Sequence, residues 1–165
     1  MEHHRDRRVG EAMTLSRMLD TLPGVDKERA AARARNLFDS LPHGGQPGVT
    51  FLDTVIDYLR TTEVDEWQTD VVRSKDGTRN CFFGHLFAIG RDDAQSNALW
   101  EFFEETYATT YMVYAVNDGT HPDYQQEHAR DRVIAYLSAI RDGSELTTQQ
   151  SMDEHERQYL AEVSP

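Results

Sequence analysis

The chain has 165 residues, 38% of them apolar and 28% charged, with a formal net charge of −12. This composition suits one folded domain with a strongly hydrated surface and argues against both a disordered chain and two independent domains. No stretch approaches the ~18 apolar residues of a membrane span, the opening "MEHHRDRRVGEAM" lacks the apolar segment of a signal peptide, and one cysteine permits neither an internal disulfide nor a multi-cysteine zinc site, so a cytoplasmic protein is expected.

The charge is uneven. Residues 1–36 carry eight Lys and Arg against six Asp and Glu, whereas the remainder carries nine against 23, a net of −14. An acidic body repels nucleic acid phosphates and favours either plain solubility or a basic protein partner.

In chain order, Val9, Met13, Leu15, Met18, Leu19 and Leu22 recur at mostly helical spacing and predict a helix over Val9–Thr21 that Pro23-Gly24 ends. A second helix is predicted over Lys27–Leu41, with Asp26 as N-cap and Ala30, Ala34, Leu37, Phe38 and Leu41 on one face. "PHGGQPG", residues 42–48, has the composition of a linker. Thr50 with Asp53 reads as a capping box opening a third helix whose Leu52, Val55, Ile56 and Leu59 face a core. Trp67–Val72 is read as a short strand, followed by an Asp-Gly turn in "SKDGT".

"NCFFGHLF" follows, then a helix over Asp92–Tyr107. Thr110–Val116, rich in β-branched and aromatic residues and stopped by Asn-Asp-Gly, is read as a second strand. The strongest helical pattern runs from about Gln125 to Arg141, with Ala129, Val133, Ile134, Leu137 and Ile140 as its apolar stripe and Gly143 as its stop. A last helix, Gln149–Glu162, carries a sparse stripe of Met152, Tyr159, Leu160 and Val163, the pattern of an arm that packs lightly or awaits a partner.

Three motifs could carry chemistry. Asn80 suits an N-cap, placing Cys81 at the first helical position, where free N–H groups and the helix dipole stabilise a thiolate and His85 one turn on could act as its base. Phe82, Phe83, Leu86 and Phe87 make the same helix apolar nearly all round, with Gly84 as a close contact, so a buried structural helix is the stronger reading. "NDGTHPDY", residues 117–124, places Asn117, Asp118, His121 and Asp123 together; a turn with Thr120 and Asp123 as a capping pair outweighs metal ligation, for which no third and fourth ligands can be placed. No metal and no cofactor is expected. "LPGVDKERA", residues 22–30, resembles the turn of the helix-hairpin-helix motif through Leu22, Pro23, Gly24, Val25 and Ala30. That resemblance implies a phosphate-binding hairpin flanked by Lys27, Arg29, Arg33 and Arg35. Asp26 stands where the motif has its second glycine and sets a carboxylate against an approaching phosphate, so nucleic acid is not expected as a partner.

Residues 50 to 142 resemble a family of small actinobacterial and phage proteins of unknown function, with Cys81 and Gly84 at the start of an apolar helix and Asn117-Asp118 before the last amphipathic helix. The resemblance implies a compact α+β domain with those four positions as its signature, and it implies no activity; His85 and the N-terminal hairpin depart from the pattern.

The fold expected is therefore α+β and mainly α. It comprises an N-terminal helical hairpin and linker (1–47), a core domain (48–143) with a short two-stranded element near Asn80, and an acidic C-terminal helical arm (144–165). Two function classes stand. One is a non-enzymatic interaction protein that binds a partner, basic in character, through the acidic surface and Met152, Tyr159 and Leu160. The other is a cysteine-dependent hydrolase or acyltransferase using Cys81, with His85 or His121 as base and Asn117 or Asp118 orienting it.

Overall fold

A computed structural model describes residues 23–41 and 49–163; the expected first helix, Val9–Thr21, and the linker over 42–48 lie outside the described residues. Seven helices occur among them: α1 (Pro23–Ser40), α2 (Val49–Arg60), α3 (Phe82–Ile89), α4 (Asp93–Thr106), α5 (Thr110–Asn117), α6 (Ala129–Arg141) and α7 (Thr148–Val163), with a 3-10 turn at Val64–Glu66. No strand or sheet is present among the described residues, so the protein is all-helical there and the α+β expectation is corrected.

Both predicted strands fail for identifiable reasons. At Trp67–Val72 only isolated bridges form, from Trp67 and Arg73 to Asn80. Asp70 adopts left-handed backbone, φ 69°, and Val71 N–H donates to Thr69 O at 2.9 Å, which folds the segment into a turn instead of extending it. Thr110–Val116 is helix α5. The Thr109 hydroxyl caps it by accepting from Met112 N–H, and Gly119, φ 77°, terminates it in the left-handed conformation a helix C-terminus favours. These caps override the β propensity of the Tyr and Val content, and Val113, Val116 and Asn117 face inward one turn apart.

Other helix boundaries move. α1 begins at Pro23, so Pro23-Gly24-Val25-Asp26 form its first turn and Asp26 is not its N-cap. α6 begins at Ala129 with His128 as N-cap, leaving the segment from Thr120 to Glu127 as a turn and loop. The Asp-Gly turn is present: Asp76 Oδ1 accepts from Ser74 Oγ (2.6 Å), Thr78 Oγ1 (2.8 Å) and Thr78 N–H (3.1 Å), which holds its carboxyl down at about 2.

The core is one cluster. Ala31 and Ala34 of α1 join Phe51, Leu52, Val55, Ile56 and Leu59 of α2, Phe82, Phe83, Leu86 and Ile89 of α3, Leu99 and Phe103 of α4, and Val133, Leu137 and Ile140 of α6. Aromatic contacts knit it, with Phe82 against Phe103 at 4.9 Å and Phe83 stacked on Trp100 at 4.7 Å between ring centres. Gly84 is where α3 meets the 67–80 loop: a Cβ there would lie 2.4 Å from Val72 O and 2.7 Å from Asn80 Cβ, which only glycine avoids.

Candidate functional site

The four residues Cys81, Gly84, Asn117 and Asp118 converge, and their arrangement is structural. Cys81, not Asn80, is the N-cap residue of α3; the backbone of Asn80 is committed to the 66–68 segment, donating to Glu66 O at 2.8 Å and accepting from Gln68 N–H at 3.0 Å. The acceptor at the start of α3 comes from 35 residues away. Asn117 Oδ1 accepts from Phe82 N–H at 3.1 Å, and Asn117 Nδ2 donates to Gln68 O at 3.0 Å and to Asp118 Oδ1 at 2.9 Å. Asp118 Oδ1 also accepts from the N–H of Asp70 at 3.2 Å, fastening the left-handed turn. A buried asparagine amide thus replaces the usual local cap and ties α3, α5 and the loop together.

Cys81 and His85 are 1% and 2% exposed. Burial pushes the Cys81 thiol up, outweighing the N–H groups of Gly84 and Phe83, and the nearby Asp118 carboxylate acts in the same direction as burial. Burial pushes His85 down to about 4, the Glu66 carboxylate opposing it and the Lys27 ammonium adding to it. Its ring lies against Trp67, 4.3 Å between centres, and its Nε2 has no hydrogen-bond partner. Cys81 and His85 are joined only through the backbone, His85 N–H donating to Cys81 O at 3.0 Å, and not through thiol and imidazole. His121 sits apart on the Tyr124 ring, 5.1 Å away, with Nδ1 accepting from Asp123 N–H at 3.3 Å. A nucleophile needs a thiolate and an approach, and this thiol has neither. Iodoacetamide is accordingly expected to label Cys81 slowly in the native protein at pH 8 and rapidly in urea; fast native labelling that titrates well below pH 8 would contradict this placement.

Of the cations considered for phosphate binding, Lys27 pairs with Glu66 at 2.6 Å, and Arg35 bonds Ile89 O at 2.8 Å and Glu28 at 2.5 Å. Arg33 stands 4.0 Å from Asp57, and Arg29 is exposed. Among the described residues no group of three or more His, Cys, Asp or Glu is placed to hold a metal, and no helix is long and apolar enough to cross a membrane.

A second concave surface lies where α7 leaves the body. A capping box starts this helix: Thr147 Oγ1 accepts from Gln150 N–H at 3.2 Å, and Gln150 Oε1 accepts from Thr147 N–H at 2.9 Å. Its first turn is anchored to the end of α4, Thr148 donating through its N–H to Tyr107 O (3.2 Å) and through its hydroxyl to Glu104 O (2.9 Å). Beyond that turn residues 149–161 are exposed. The space between α7 and the body is a groove of about 870 Å³ with Tyr107, Ala108, Met112 and Tyr136 on the body side and Leu146, Met152 and Tyr159 on the arm side. Glu145, Asp153 and Glu156 line it as well, and Glu145 also accepts from Tyr124 Oη at 2.8 Å.

Met152 and Tyr159, expected as partner-binding residues, line this groove at 62% and 59% exposure; Leu160, at 52%, is exposed but outside the lining. The body side was not anticipated, because Tyr107 and Tyr136 are buried positions on helices whose spacing reads as ordinary core. No protein-family model, curated protein or solved structure matches this chain.

Proposed function

We propose that this chain is a non-catalytic docking protein whose groove beneath α7 receives a basic segment with apolar side chains from a protein partner. The observation that carries this reading is an apolar groove rimmed by Glu145, Asp153 and Glu156, on a helix that leaves Met152 and Tyr159 uncovered. Large apolar side chains clustered on a surface are costly to leave in water and mark interaction sites. The acidic rim, within a chain of net charge −12, selects a cationic occupant and speeds its encounter.

Calorimetric titration of the full chain with a synthetic amphipathic peptide rich in Leu and Arg tests it. Binding is expected to weaken at least about tenfold in Met152→Asp or Tyr159→Asp, both exposed positions whose replacement leaves the core intact, and to weaken again between about 0.05 and about 0.5 M salt. Equal binding of a Leu/Glu peptide, or no binding of the basic one, would reject the reading.

A further inference from the structure

Large exposed apolar side chains gather at two places among the described residues. One is the groove region, with Leu146, Met152, Tyr159 and Leu160; the other is Val71 and Val72, 52% and 36% exposed, on the loop between the 3-10 turn and α3; Tyr111 on α5 is exposed as well. The two places differ in charge. The loop "VVRSKDGTR", residues 71–79, carries Arg73, Lys75 and Arg79 against Asp76, whose carboxylate is turned onto Ser74 and Thr78. Asp70 precedes it. It is an exposed, cationic, valine-bearing loop in a chain of net charge −12, which is the chemistry the groove selects.

Resting on the docking function proposed above, we propose that one occupant of the groove is the 71–79 loop of a second copy of this chain, so that copies associate head to tail. The loop is already ordered for this: Val72 O accepts from Cys81 N–H at 3.0 Å, Ser74 N–H donates to Arg79 O at 2.8 Å, and Asp118 holds the N–H of Asp70. A preformed loop loses little conformational entropy on docking. None of its residues lines the groove of its own chain, so the contact is between copies. Because loop and groove are different surfaces, the contact is heterologous and leaves a free loop and a free groove at the ends until a ring closes. Val71 and Val72 would meet the apolar walls, and Arg73 and Lys75 would face Asp153 and Glu156.

Sedimentation velocity on the full chain from about 5 to about 500 µM tests this. The average mass is expected to rise with concentration from the 18.9 kDa monomer at low salt and to fall back toward it at about 0.5 M salt. R73E/K75E and D153K/E156K should each remain monomeric, all four positions lying at the surface, and their equimolar mixture should associate again, since each reversed surface then finds a reversed or an intact complement. A wild type that stays monomeric throughout, association unchanged in R73E/K75E, or a mixture that stays monomeric would each overturn head-to-tail docking. The Leu/Arg peptide separates the two ideas: if it binds a wild type that does not self-associate, the groove serves a foreign partner and only the self-docking falls.

Discussion

Arg132→Ala is expected to destabilise the protein by about 3–5 kcal/mol, among the largest losses from a single side chain. Arg132 is 8% exposed and pairs with no carboxylate among the described residues; its guanidinium is spent on backbone carbonyls. Nε donates to Val116 O at 3.0 Å and Nη2 to Asn117 O at 2.6 Å, at the C-terminal end of α5, while Nη1 donates to Gln126 O at 2.8 Å and Glu127 O at 3.1 Å, just before α6. The last carbonyls of a helix have no partners within it and carry the negative end of its dipole, so a cation there is favoured twice. Gly119, whose Cβ would lie 3.3 Å from the guanidinium carbon, leaves room for the approach. Alanine would remove four hydrogen bonds, although Val116 O would keep the N–H of Gly119 at 3.2 Å, and would loosen Asn117 and with it the cap on α3. Lysine should recover only part of the loss, because one ammonium cannot span two pairs of carbonyls set by a planar fork. Urea denaturation of the three proteins, followed by Trp fluorescence, measures the difference; an alanine variant within about 1 kcal/mol of wild type would show that the loop and the end of α5 do not depend on this residue.

The same region separates what local sequence can encode from what it cannot. α2, α4 and α7 lie within a residue or two of where apolar spacing places them, since each is decided within a turn or two of its own residues, although Thr50, read as opening α2, falls inside a helix that begins at Val49. α5 was misread because Tyr and Val at 111–116 favour a strand in isolation, although Thr109 and Gly119, the signals that decide the matter, stand at its two ends. The loop from Thr120 to Glu127 delays α6 past its predicted start because Tyr124 turns inward to reach Glu145, a contact 21 residues long. Asn117 capping α3 across 35 residues is likewise invisible to any local rule. For the groove, Met152 and Tyr159 were legible as a stripe too sparse to bury a helix, whereas the opposing Tyr107 and Tyr136 become a wall only through the direction in which α7 departs. That direction depends on Thr148 meeting the end of α4. The buried character of the Cys81 helix was legible, because side chains apolar on every face leave a helix no side to turn toward water.

Acidification from pH 7 to pH 5 is expected to remove about 2 kcal/mol of stability through His85 alone, approaching about 3 kcal/mol near pH 4. The folded-state value of about 4 lies below the ordinary 6.5. The unfolded chain therefore takes up a proton between those two values while the native protein does not. Stability is full above pH 6.5, falls as pH drops through 6.5 toward 4, and levels off below 4, where both states are protonated. The cause is geometric: the ring is enclosed against Trp67, its Nε2 has no acceptor, and the Glu66 carboxylate, already paired with Lys27 at 2.6 Å, only partly offsets the cost of burying a cation. Native carboxylates contribute their own acid dependence, so the effect is read as a difference between proteins. His85→Phe and His85→Leu, which cannot titrate, should show unfolding free energies that fall less steeply than wild type from pH 7 to pH 5, by about 2 kcal/mol in the comparison, whatever their stability at pH 7. Parallel pH profiles for wild type and both variants would mean that water or a local opening already solvates the ring, and that the enclosure by Trp67 and α3 is looser than the packing indicates.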